Sequence, residues 1–203
     1  MKNINKLMSI LAFSALLPIS ASATTLSGNL TADDAFTAYL STDDSVAGTP
    51  LVSGSFWPSV FSFSATLIPG STYYLHIAAK DIFGPPSAFL GSFSLSDADF
   101  TFANGTQSLV SSSTDWEVNG TGFGPAYNTP YDGFGTNGSG LSYPTLSGIA
   151  LDARWIWTGP YGTVSEAYFT TTITTIPEPE TYAMLLTGLG LLGFMTRDRK
   201  ENA

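Results

Sequence analysis

The chain has no cysteine among its 203 residues. That absence excludes disulfide cross-links, thiolate nucleophiles, zinc ribbons and thiol redox chemistry, so any folded domain is held by its core alone. Positive charge is nearly as scarce. Lys and Arg together number 7 against 16 Asp and Glu, a formal net charge of −9. Between Thr24 and Thr175 the only basic residues are Lys80 and Arg154. Nucleic acid is therefore excluded as a partner, because binding it requires cations that displace condensed counterions. Anionic lipid headgroups would repel the same surface. The single histidine, His76, lies inside an apolar run and reads as a satisfied strand residue rather than a general base. There is no G-x-S-x-G elbow. Asp115, Glu117, Asp152 and Glu166 are the carboxylates from which a glycosidase pair would have to come, and an acidic chain supplies such pairs by chance. The expectation is that the chain is not an enzyme and needs no cofactor.

Long helical periodicity is also missing outside the two ends. At the N-terminus, Lys2 and Lys6 precede an apolar run from Leu7 to Ile19, and Ala21-Ser22-Ala23 fits a small-residue cleavage site. Residues 1–23 thus read as a signal peptide for signal peptidase, with the mature chain starting at Thr24. Residues 24–175 read as one domain, all-β, a single antiparallel β-sandwich. Phe61, Phe63, Ala65 and Leu67 alternate with Ser62, Ser64 and Thr66, a period of two. The Pro69-Gly70 turn and the run Tyr73 to Ala79 predict a hairpin with that strand. Phe100 to Ala103, Asn104-Gly105 and Thr106 to Val110 predict a second hairpin with a type I′ turn. Ala153 to Trp157 and Ala167 to Ile173 complete the strands, with Trp155 and Trp157 on one face. Gly120 to Gly148, rich in Gly, Asn, Pro, Tyr and Ser, reads as a long surface loop of the Ω type.

The C-terminal segment is the most specific part of the chain. Pro177-Glu178-Pro179 is followed by an apolar run from Tyr182 to Met195 and then by Arg197, Arg199 and Lys200. This three-part order resembles a PEP-CTERM sorting signal over residues 176–203. The resemblance implies export across the inner membrane of a Gram-negative bacterium, recognition by an exosortase, and a link to exopolysaccharide and biofilm. An inner-membrane anchor through a short helix over 182–195 would come first, and the cell surface or extracellular space last. Any catalytic residues of that step belong to the exosortase. Physical arithmetic agrees with a temporary anchor. The run Tyr182 to Met195 as a helix reaches about 21 Å, short of a hydrocarbon core of about 30 Å. The two prolines keep the approach extended, open to a processing enzyme. Gly188-Leu189-Gly190-Leu191-Leu192-Gly193 matches G-x-G-x-x-G, yet it lies inside the apolar run without the βαβ context a dinucleotide site requires.

The central domain is similar to galactose-binding-like jelly rolls in the order of three segments: Thr31 to Leu40, Thr114 to Val118, and Ala153 to Trp157 followed by Tyr168-Phe169. The usual Asn-Gly turn of that family is replaced here by Ser41-Thr42-Asp43-Asp44. The resemblance implies a jelly-roll-like sandwich, a fold that carries many functions. The resulting reading is an exported, exosortase-processed protein with a structural or adhesive role in the envelope or matrix. The alternatives are a glycan- or Ca2+-binding module and, behind it, a carbohydrate-active enzyme. Tyr127, Tyr131, Phe134 and Trp116 are the candidate glycan contacts, since sugars stack on aromatic platforms. Asp33 with Asp34, or Asp97 with Asp99, are the candidate Ca2+ ligands, since hard cations take clustered oxygens. Asn29, Asn104, Asn119 and Asn137 each begin an N-x-[ST] sequon, which turn-rich chains generate by chance.

Overall fold

The computed structural model describes residues 23–124, 126–139, 144–161, 164–177 and 184–190. Within them the chain is an antiparallel β-sandwich, as expected. Its strands are β1 (Thr24–Asp33), β2 (Ala35–Ser41), β3 (Thr49–Gly54), β4 (Phe61–Leu67), β5 (Tyr73–Lys80), β6 (Ala88–Leu95), β7 (Phe100–Phe102), β8 (Ser108–Val110), β9 (Glu117–Asn119) and β10 (Glu166–Thr175). One sheet has the order β4-β1-β6-β8. The other has the order β3-β2-β5-β10-β7, with β9 also paired to β10.

The core lies between the two sheets. Along β1, Leu26, Leu30 and Ala32 point inward, and along β5, Leu75, Ile77 and Ala79 do the same. Alternation of this kind is what a half-buried strand requires. At the centre of β1, Gly28 is the register partner of both Phe63 on β4 and Phe93 on β6. A Cβ at Gly28 would come within 2.5 Å of the Phe63 ring and 2.6 Å of the Phe93 ring. The glycine therefore makes room for two flanking rings whose centroids are 6.2 Å apart.

The connections depart from the sequence-based expectation. Of the links between successive strands, only β2–β3 and β9–β10 stay within one sheet; every other link crosses the sandwich. The expected hairpin of β4 with β5 does not form: β4 pairs with β1, and β5 pairs with β2 and β10. Pro69-Gly70 turns the corner between sheets instead. The same holds at Asn104-Gly105, which joins β7 in one sheet to β8 in the other. A type I′ turn needs positive φ at both central residues, and here only Gly105 has it, at 75°. The Asn104 side chain instead accepts from the Thr106 amide and donates to the Ser108 carbonyl. The segment Thr31 to Leu40 is likewise not one strand, because the chain changes sheets at Asp34 between β1 and β2. Long apolar strands satisfy their faces equally well in either sheet, so local pattern sets the strand and not its neighbour.

The described residues between 120 and 148 are also more firmly held than those of a free loop. Asn128 bridges to Val118, Tyr131 to Trp157 and Thr136 to Arg154, while Ile156 bridges to Phe89 on β6. Asn137 is buried and holds the chain on both sides: its amide donates to the Leu146 and Ile149 carbonyls, and its oxygen accepts from the Leu146 amide. The segment from Ala153 to Trp157 makes these bridges without forming a longer strand. Trp155, Ile156 and Trp157 are all buried, so two faces of the segment are covered rather than one.

Candidate functional site

A buried polar cluster lies on the outer face of the β3-β2-β5-β10-β7 sheet. Tyr39 on β2, His76 on β5 and Thr170 on β10 are register partners in one cross-strand row. His76 is fully buried and Thr170 nearly so, although both point away from the core. Their cover comes from two loops. Phe123 lays its ring on the His76 imidazole, with centroids 4.2 Å apart and planes 11° apart. The same ring meets Tyr168 edge-on at 5.2 Å and Tyr39 at 6.3 Å. From the other side Asp44 enters, and its Oδ1 accepts from Tyr127 Oη at 3.1 Å and from Thr170 Oγ1 at 3.0 Å. It also faces His76 Nε2 at 3.2 Å, while Nδ1 faces the Ala47 carbonyl at 3.3 Å. Both ring nitrogens thus face acceptor oxygens. Tyr127 Oη in turn accepts from the Gly124 amide at 2.8 Å.

This arrangement clamps two loops to the sheet through one carboxylate. Burial, together with the Asp44 charge, pushes the Tyr127 phenol up to about 12. A group whose folded value is raised contributes stability that is complete below the unfolded value of 10.0 and is lost as pH rises through the folded one. The loops at 43–47 and 123–127 are therefore expected to loosen between pH 10 and about 12. Tyrosinate absorbance at 295 nm with parallel near-UV dichroism checks this, and Tyr127→Phe should reduce the late-titrating step by about one phenol, leaving the contribution of Tyr168, which burial also raises.

Sequence reasoning noted Asp44 and His76 separately and missed that they meet. They are 32 positions apart, and Thr170 is 126 positions from Asp44, so no local spacing signals the cluster.

The structure distributes the candidate glycan contacts differently from expectation. Trp116 is buried, edge-on to Phe89 and tilted against Phe93, with its indole N–H on the Val110 carbonyl. Phe134 is buried between Tyr131 and Tyr161. Tyr131 is half-buried against the core, and Tyr127 is the loop clamp just described. These residues form no common aromatic platform: core packing takes Trp116 and Phe134 because burying a large ring is worth more than presenting it.

The candidate Ca2+ ligands act as turn caps. Asp34 Oδ2 accepts from the Ile82 and Phe83 amides at 2.8 and 3.0 Å. Partial burial works to raise this carboxyl, but a hydrogen bond with Asp33 and the two amides outweigh it and hold it below the ordinary range. Asp97 accepts from Thr24 Oγ1 at 2.6 Å, from Ser96 Oγ and from the Asp99 amide. The Thr24 hydroxyl is the main reason its carboxyl is lowered. Among the described residues no group of three or more His, Cys, Asp or Glu is arranged to hold a metal ion. Of the carboxylates considered for catalysis, Glu166 pairs with Lys80 at 3.1 Å and Asp115 accepts from the Ser112 and Thr114 hydroxyls.

The C-terminal segment leaves the fold abruptly. β10 ends at Thr175 beside Phe100, and the Ile176 amide makes a last backbone bond to the Asp99 carbonyl at 2.8 Å. Pro177, which has no N–H to donate, is exposed. Glu178, Pro179, Arg197, Arg199 and Lys200 lie outside the described residues. Of the expected helix over 182–195, residues 184–190 are described and are helical, with Met184, Leu185, Leu186 and Leu189 exposed. A Cβ at Gly188 or Gly190 would touch nothing within 4 Å. Among the described residues no helix is long and apolar enough to cross a membrane.

Residues 175–200 match the family model of the PEP-CTERM protein-sorting motif. No curated protein and no solved structure matches the chain.

Proposed function

We propose that an exosortase processes this chain after export, and that the β-sandwich then serves a structural or adhesive role in the envelope or matrix of a Gram-negative bacterium, in contact with exopolysaccharide. The chain carries a PEP-CTERM sorting motif, which indicates export, a membrane-anchoring C-terminal signal and an exosortase as processing partner. The observation that carries the reading is where that motif begins. It starts at residue 175, the last residue of β10, so a cut beyond Ile176 leaves every strand and the final backbone bond to Asp99 in place. The motif therefore addresses a finished domain. Such a role needs no catalysis by this chain. The inner-membrane stage rests on the apolar run 182–195, and the link to exopolysaccharide on the sorting motif.

The test is expression of the full chain in a host with and without an exosortase, followed by intact-mass spectrometry. With the enzyme present, the mature protein is expected to end within or before residues 175–200 and to co-sediment with the host exopolysaccharide. A mature chain still ending at Ala203 would overturn processing. Correct processing without co-sedimentation would overturn the matrix role alone.

A further inference from the structure

The four-stranded sheet ends on a strand with none of the usual protections. We infer that β4 is a pairing edge through which two copies of this chain join, antiparallel, about a two-fold axis near Ser64. Among the described residues β4 pairs only with β1, in an unbroken register from Thr24↔Leu67 to Leu30↔Phe61. Its other edge therefore presents a row of backbone donors and acceptors without a strand to meet them. Natural sheets blunt such edges with charge, proline, bulges or shortness. The protein uses those devices elsewhere. The edge strand β3 contains Pro50 and is joined to β2 through a register shift at Ala38/Tyr39. β7, β8 and β9 are each 3 residues long. β4 is 7 residues long, FSFSATL, with no charged residue and no proline.

Self-complementarity points to a second copy as the occupant. In an antiparallel pair centred on Ser64, Phe61 faces Leu67 and Phe63 faces Ala65 on the inner side, apolar to apolar. On the outer side Ser62 faces Thr66, and Ser64 faces Ser64. Because side chains alternate with a period of two, this register keeps each face with its own kind. The flanks agree. Ile68, 66% exposed directly after the strand, would lie against Val60 of the second copy, and Phe56, also 66% exposed, precedes it.

Charge favours the same place. Copies of a chain with net charge −9 repel over most of their surface. The outer face beside β4 carries none of that charge. Its cross-strand rows are Ser64–Ser27–Ser94–Ser108 and Ser62–Asn29–Ser92–Val110, with Thr66 beside Thr25. Joining two edges extends each uncharged row straight into its symmetry mate, giving one continuous uncharged sheet face.

The absence of native cysteine makes the test direct. Directly opposed residues of an antiparallel pair have Cα atoms about 4.5–5.5 Å apart, within disulfide range. The full chain carrying Ser64→Cys, produced through export and purified in detergent, is expected to form a disulfide-linked dimer on mild oxidation. Ser108→Cys, exposed on the opposite edge of the same face, should link about tenfold more slowly or worse, since only collision brings it together. Light scattering should show a dimer for the parent and a monomer for Ser64→Lys, whose circular dichroism should match the parent. Equal linking rates at the two positions, a monomeric parent, or a Ser64→Lys protein that remains dimeric would each overturn the inference. The last outcome would place the association in the apolar tail.

Discussion

Replacing Trp116 with alanine is expected to lower the free energy of unfolding by about 4 kcal/mol, as removal of a fully packed aromatic does. The ring is 2% exposed and sits where the two sheets face each other. It meets Phe89 edge-on at 5.4 Å and Phe93 at the same separation. Phe89 in turn packs on Phe169 from β10 at 5.1 Å, so the loss spreads through both sheets. The substitution also strands the Val110 carbonyl that the indole N–H caps. Trp116→Phe keeps much of the area and should cost about half as much. Urea unfolding followed by the three remaining tryptophans measures both variants. A fall of less than about 1 kcal/mol for the alanine variant would be incompatible with this packing.

The second large effect is expected at Asp44. Asp44→Ala removes one acceptor and leaves Tyr127 Oη, Thr170 Oγ1 and the His76 ring without it in a region where His76 is fully buried. Each stranded polar group costs about 1–3 kcal/mol when water cannot replace the partner. Asp44 is itself partly exposed, with 30% of its side chain accessible, so some of that loss is recovered by solvent. A net fall of about 3 kcal/mol is expected. Asp44→Asn keeps an oxygen acceptor and should cost about 1 kcal/mol, a cost that reports the lost carboxylate charge. Hydrogen exchange should quicken at 43–47 and 123–127 in the alanine variant while the core strands keep their protection. Uniform loss across the sandwich would show that the cluster is not the local clamp its geometry describes.

The four aromatics considered as glycan contacts are placed by packing and by one hydrogen bond. Trp116, Tyr127, Tyr131 and Phe134 lie in or near the Gly-rich stretch from Gly120 to Gly148. Aromatics in such a stretch serve either packing or display, and composition is the same for both. Tyr131 and Phe134 pack edge-on in the fold at 5.1 Å, and Tyr127 spends its hydroxyl on Asp44. The acidic pairs follow the same logic. Asp33-Asp34 and Asp97 with Asp99 resemble ligand sets by proximity in sequence, yet Asp34 caps the Ile82–Phe83 backbone and Asp97 ties Thr24 to the following turn.

Strand positions were legible because alternation is a local property. Phe61 to Leu67 shows its period of two without reference to any partner, and the strand forms on those residues. Strand pairing was not legible. The chain crosses the sandwich at Pro69-Gly70 and again at Asn104-Gly105, where short turns normally suggest hairpins. A turn sequence fixes the reversal of the chain but not whether the next strand rejoins the same sheet.

The sequence alone determined the address of this protein, its all-β class and the exclusion of thiol chemistry, because a sorting signal, an alternating strand and a missing residue type are each read within a few positions. Tertiary structure decided everything that depends on convergence. It brought Asp44 to His76 and Thr170, buried Trp116 and Phe134, and, among the described residues, left β4 paired on one edge only. Those outcomes follow from which strand lies beside which, and that choice is made by the packing of two sheets around one core.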